Sequence, residues 1–148
     1  PDEEPCLMPG ADDTRRHRSA LAFDWGLRAI GSAVGQTRTR TAQPLETLPA
    51  RDGIPDWDRL GRLLAQWNPD VVVVGLPLEL DGSESRQCAA ARRFGRRIAG
   101  RFGCIVEFQD ERHTTQEARS RSSEGAHRRE LHDLAAQVIL EDWLRAQR

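Results

Sequence analysis

Residues 71–78 read VVVVGLPL in a chain that is otherwise polar. Four successive β-branched residues offer no polar position for a solvent-facing side. A strand made of them has to be covered on both faces, the condition of a central strand in a parallel sheet. The run therefore asks for layers above and below a sheet, and helices are the usual cover. The flanking segments supply them. Asp56 opens a helical pattern in which Trp57, Leu60, Leu63, Leu64 and Trp67 recur every three or four residues, and Asn68-Pro69 closes it. Residues 85–101 form a second helix with Ala91, Phe94 and Ile98 on its apolar side, broken at Gly103.

The remaining elements follow from the same two periods. The stretch LAFDWGLRAIGSAVG, 21–35, predicts two strands, 20–25 and 29–35, joined by a tight turn. A third, weaker strand is expected from Pro44 to Pro49. ELDGSES, 79–85, is a loop, and CIVEF, 104–108, is another strand. Thr114-Thr115-Gln116-Glu117 fits a capping box and starts a short helix. SRSSEGAHRR, 120–129, is a polar loop, and a last helix over 133–146 buries Leu134, Val138, Ile139 and Trp143. Three strands followed by alternation, βββαβαβα, mean an α/β fold with a mixed sheet and helices on its faces.

A length of 148 residues suits one domain with one core. Residues 1–19 lack periodicity and are expected to be a disordered tail, with the folded domain over 20–148. Those first residues lack the apolar stretch of a secretory signal, and VVVVGLPL is far too short to span a membrane, so a cytoplasmic location is expected. Cys6, Cys88 and Cys104 form neither a disulfide framework nor a zinc pattern; Cys88 and Cys104 read as small core residues. The net charge of −1 does not advertise a nucleic-acid binder, but all 22 basic residues are arginine and many lie after residue 85.

Acidic residues stand at element boundaries. Asp24 ends the first strand, Asp110 and Glu111 end CIVEFQ, and Asp133 begins the last helix. Were those ends to converge, the carboxylates would form a negative cluster that only cations neutralise, and hard divalent ions with oxygen ligands are the natural partners. Each also has a plainer role: Asp24 as a turn residue, Asp133 as a complement to a helix N-terminus, Asp110 and Glu111 as surface charges.

FDWG (23–26), GLPLELDG (75–82), QDERHTT (109–115) and HDLAA (132–136) together resemble the YqgF/RuvX family, over about Leu21 to Trp143. Those proteins are similar to the Holliday-junction resolvase RuvC. The resemblance implies an RNase H-like mixed five-stranded sheet with helices on both faces. It also implies a metal-dependent nuclease, with Asp24, Glu111 and Asp133 as catalytic carboxylates holding Mg²⁺ or Mn²⁺, two ions in all. Asp110 is the rival of Glu111; neighbours on a strand point to opposite faces, so only one should reach the metal. The implied substrates are the precursor of 16S ribosomal RNA, trimmed at its 5′ end, or branched four-way DNA. Ribosome-assembly factors are the implied protein partners, and a monomer or weak dimer the implied state. The sequence departs from the family in having Leu134 where a serine usually follows the last aspartate, and Arg128-Arg129 and His132 where lysines are common.

Arg93 and Arg97 on the second helix, with Arg112, are the candidate substrate contacts, because a guanidinium binds phosphate bidentately; solvated helix arginines are the plainer reading. Gly75 and Pro77 read as a strand exit rather than a substrate contact, and Glu79 and Asp81 as loop residues, a spare metal ligand being the lesser reading. Trp57, Trp67 and Trp143 read as core, Trp25 as core or a base-stacking platform, and His113 as a proton carrier or a surface residue. Two other functions compete. An actin-type ATP-binding fold also opens with a strand, an aspartate and a glycine, but needs a longer chain and a second phosphate loop. A non-catalytic nucleic-acid-binding module would keep the acids without binding metal.

Overall fold

The computed structural model describes residues 18–78, 81–111 and 128–147, with residues 128–133 described by their backbone alone. Its strands are β1 (Ser19–Asp24), β2 (Ala29–Gln36), β3 (Thr41–Pro44), β4 (Leu48–Arg51), β5 (Ile54–Pro55), β6 (Val71–Leu76) and β7 (Val106–Asp110). Its helices are α1 (Trp57–Trp67), α2 (Arg86–Phe102) and α3 (Arg128–Ala146). One sheet runs in the order β5-β4-β2-β1-β6-β7, with β3 sharing the outer edge of β2. β1, β6 and β7 are mutually parallel, while β2 is antiparallel to β1, β3 and β4. The mixed α/β architecture is the one expected.

Helices cover both faces. Leu21, Phe23, Val72 and Val74 face α1 and α2, where they meet Leu60, Leu64, Phe94 and Ile98. Their strand neighbours Ala20, Ala22, Val71 and Val73 face α3 and meet Ala136, Ile139, Leu140 and Leu144. The valine run is fully covered, Val72, Val73 and Val74 each showing 0% exposure. Each such side chain contributes about 1.5–3 kcal/mol by leaving water. The α3 side is lined by small residues, which lets that helix lie close: a Cβ on Gly35 would sit 3.1 Å from Leu140 and 3.2 Å from Leu144.

Cap chemistry sets the helix ends. The Asp56 carboxylate accepts from the Asp58 and Arg59 amides, and Asn68 closes α1 in the left-handed region at φ 44°. Ser85 caps α2, and Gly103 ends it at φ 67°.

Several expectations need correction. The third strand, placed over Pro44 to Pro49, is two strands: Pro44 cannot continue a ladder as donor, and pairing with β2 resumes at Leu48. With β5, the sheet has seven strands rather than five. α3 begins at Arg128, five residues before the expected start, because RREL is made of good helix formers. Asp133 therefore lies inside α3, not at its head. β7 spans Val106–Asp110 rather than 104–108. Leu134 and Cys104 are half-buried, whereas Cys88 is core. The short helix expected at 114, and residues 1–17 of the expected tail, lie outside the described residues. Among the described residues no helix is long and apolar enough to cross a membrane.

Candidate active site

Parallel strands end together. Phe23 pairs with Val74, and Leu76 pairs with Asp110, so the carboxyl ends of β1, β6 and β7 share one sheet edge. The Glu111 amide donates to the Leu76 carbonyl at 3.0 Å, extending β7 by one residue. That bond holds Glu111 against the end of β6. Continuing the β1–β6 register brings Asp24 alongside Gly75.

Asp24 and Glu111 are both buried, at 9% and 6% exposure, and they are two of only three polar or charged residues buried among the described residues. Their side chains are hydrogen-bonded to each other. Two carboxyl groups can share such a bond only if one keeps its proton. Glu111 is the one whose ionisation is disfavoured. Burial pushes its carboxyl well above the ordinary value, and the Asp24 charge, the Asp24 hydrogen bond and the Asp110 charge push it the same way. Asp110 thus acts on the pair through its field, while Glu111 makes the contact.

Gly75 is what permits the approach. A Cβ there would lie 2.6 Å from Glu111 Oε2 and 2.5 Å from the Ile139 terminal methyl. The glycine read as a strand exit is instead the space that the Glu111 carboxyl occupies. Glu111 Oε2 is buried and has no hydrogen-bond partner among the described residues. Two buried carboxyl groups, one with an orphaned oxygen, form a donor set that a hard divalent cation fits.

Two described acids are brought together; no third His, Cys, Asp or Glu completes a metal cluster among the described residues. The side chain of Asp133, and Glu79, Arg112 and His113, lie outside those residues. Asp81 is exposed, and its carboxylate accepts from the Ser83 amide and hydroxyl, shaping a loop. Arg93 and Arg97 are exposed on α2 and line a small cavity with Trp25 and Trp57. Trp143 is core, Trp57 and Trp67 pack half-buried against the core, and Trp25 does likewise beside Asp24.

A family profile described as RuvX, Holliday junction resolvase, matches residues 18–146. The chain belongs to the RuvX family. It is thus placed among nucleases, hydrolases of phosphodiester bonds. An Aeromonas hydrophila protein is 50% identical over 135 residues, spanning 88% of this chain and 96% of the relative. A Nitrosococcus oceani protein is 50% identical over 141 residues, spanning 93% of each chain. Both carry the name "Putative pre-16S rRNA nuclease". Among solved structures, the fowlpox virus Holliday junction resolvase superposes with a TM-score of 0.53 at 16% identity, over 87% of this chain and 99% of that one. Thermus thermophilus RuvC in complex with Holliday junction substrate gives 0.50 at 16% identity, over 88% and 95%. These likenesses establish the RuvC-like, RNase H-type fold. RuvX members share that architecture with divalent-metal nucleases, consistent with the donor set at the strand ends.

Proposed function

We propose that this RuvX nuclease trims the 5′ end of pre-16S ribosomal RNA in the cytoplasm during ribosome biogenesis. The observation that carries the catalytic reading is the buried Asp24–Glu111 pair, seated at the ends of two parallel strands by the missing side chain of Gly75. Asp133 is the third acid. α3 runs antiparallel to β1, with Gln147 meeting Arg18 and Ile139 meeting Gly75, so earlier residues of the helix lie toward the carboxylate end. Position 133 is three residues before Ala136 and seven before Leu140, the spacing of the stripe that packs on the sheet.

Asp24 and Glu111, with Asp133, would hold Mg²⁺ or Mn²⁺, and two ions are proposed. Bound there, divalent metal lowers the pKa of an attacking water and stabilises the leaving oxygen of the phosphodiester. The chain's own residues prepare the centre. Asp24 is held by strand pairing, and Glu111, as its carboxylate, would complete the donor set. Arg93, Arg97 and Arg112 position the phosphate backbone.

The family description and the junction-bound neighbour favour one second reading, cleavage of four-way DNA. Both are tested together. End-labelled RNA carrying a 16S leader and a four-way DNA junction are incubated with Mg²⁺, Mn²⁺ or chelator, using wild type and Asp24→Asn. The expected result is metal-dependent cutting of the leader RNA and no cutting by the variant. Cutting of the junction alone would transfer the assignment to DNA, and equal behaviour of variant and wild type would refute the catalytic site.

A further inference from the structure

On the opposite face of the same sheet edge lies a cavity of about 150 Å³ lined by Trp25, Ile54, Trp57 and Phe94 together with Asp52, Arg93 and Arg97. Asp24 and Trp25 are consecutive, so their side chains leave the end of β1 toward opposite faces. The acid pair sits on the α3 side, and the cavity on the side of α1 and α2.

The wall is built rather than incidental. The Trp25 indole N–H donates to the Gly53 carbonyl at 2.9 Å. Gly53 is held at φ 80°, and a Cβ there would fall 2.2 Å from Trp25 Cζ2. The turn that carries Gly53 is thus shaped around the indole. Two of the three exposed large apolar side chains among the described residues, Leu27 at 57% and Ile54 at 47%, belong to these two joined turns; the Gly53 amide donates to the Leu27 carbonyl at 2.8 Å.

Arg93 and Arg97 differ from Arg92 and Arg101 of the same helix. Arg92 is committed to Glu84 by two hydrogen bonds, and Arg101 lies over the Trp57 ring at 4.4 Å. Arg93 and Arg97, one helical turn apart, are exposed and make no ion pair among the described residues. Both contribute to the lining of the aromatic and apolar recess.

From this we infer a subsite for one unpaired nucleotide of the substrate strand, its base against Trp25 and Ile54 and its phosphate on Arg93 and Arg97. The assignment rests on the nuclease reading for its polymer. A planar apolar body with an anionic end matches a lining of aromatic side chains and arginines, and stacked aromatic plus arginine contacts are how unpaired strands are held. Asp52 repels a phosphate and accepts from a base amine, which orients the nucleotide. A paired base is inside its helix and cannot enter. The volume is below the roughly 300–1,000 Å³ of pockets that enclose a whole small molecule, so the base alone is enclosed and the sugar and phosphate lie outside it.

The test is equilibrium binding in chelator, followed by fluorescence anisotropy at several salt concentrations. The probes are labelled single strands of about 12 nucleotides, of RNA and of DNA, a matching blunt duplex, and a strand with abasic sites. Proteins are wild type, Arg93→Ala/Arg97→Ala, and Arg96→Ala, an exposed arginine of the same helix outside the cavity. Wild type should prefer normal single strands over duplex and abasic strand by about tenfold or more. The double variant should lose that preference, and its salt slope should fall by about one per arginine. Arg96→Ala should keep the preference. The RNA and DNA arms show which sugar the subsite accepts. Equal wild-type binding of duplex and single strand, or a double variant that behaves like Arg96→Ala, would overturn the inference. Because binding is read without metal, the two readings fail separately. A protein that cuts normally in the double variant and keeps its preference refutes the subsite alone. A protein that cuts nothing yet shows the pattern refutes the nuclease alone.

Discussion

The behaviour of Glu111 follows from its place against Asp24. Its carboxyl titrates above the ordinary value near 4.5 because burial and the Asp24 charge disfavour ionisation. Between the unfolded and folded values the folded chain binds more protons than the unfolded chain. In the metal-free protein, stability therefore falls as pH rises through that window and stays lower above it. Glu111→Gln removes this fall. Melting in chelator should show the variant more stable than wild type at pH 8, by about 1–3 kcal/mol, the scale of an unsatisfied buried polar group, and the advantage should vanish at pH 4. A wild-type advantage at pH 8 without metal would contradict the assignment. Gly75→Ala tests the same corner from the other side. The added methyl meets the Glu111 carboxyl and the Ile139 methyl; the methyl can swing aside, whereas the carboxyl must leave Asp24. Cleavage should fall about 10²-fold, the usual cost of a 1 Å misplacement, in a protein that still folds.

At the scale of elements, caps and close approaches are separable contributions. Asp56 accepts two amides at the start of α1, so Asp56→Ala should cost about 1 kcal/mol in urea unfolding without altering cleavage. α2 lies close to β7, where a Cβ on Gly95 would sit 2.7 Å from the Phe108 ring. Gly95→Ala should cost about 1–3 kcal/mol by overpacking and reduce cleavage as well, since pushing α2 from β7 disturbs the strand that delivers Glu111. A stability loss confined to the cap variant would show that helix and strand adjust independently. The limits of α1 and α2 and their core stripes were readable because a cap and a 3.6-residue period are local: Asp56, Leu60, Leu64 and Asn68 announce α1 within a short stretch, whereas α3, with no cap residue in the sequence to mark its start, begins five residues before the expected position. The break between β3 and β4 was not readable. Which part of 41–51 pairs depends on the outer edge of β2, and no local pattern encodes that partner.

For the whole molecule, a metal ion held by the acid pair would be a folding ligand. A cation that binds the folded chain alone stabilises it by about 2.7 kcal/mol at a hundredfold excess over Kd. Melting temperature should therefore rise with Mn²⁺ or Mg²⁺ in wild type and stay flat in Asp24→Asn; parallel curves would argue for a binding module. The sequence by itself determined the architecture. VVVVGLPL demanded a doubly covered strand, the helical stripes supplied the covers, and the four motifs carried the family and its first acid, because period and composition act over a few residues. Only the tertiary structure decided which acid touches Asp24 and why a glycine stands at 75. Gly75 and Glu111 are far apart in the chain, and meet because β6 and β7 pair in one register. Likewise, the cavity of Trp25, Arg93 and Arg97 exists only where a turn, a strand end and a helix converge. A contact between distant segments has no local period, so its physics is expressed only once the sheet has closed.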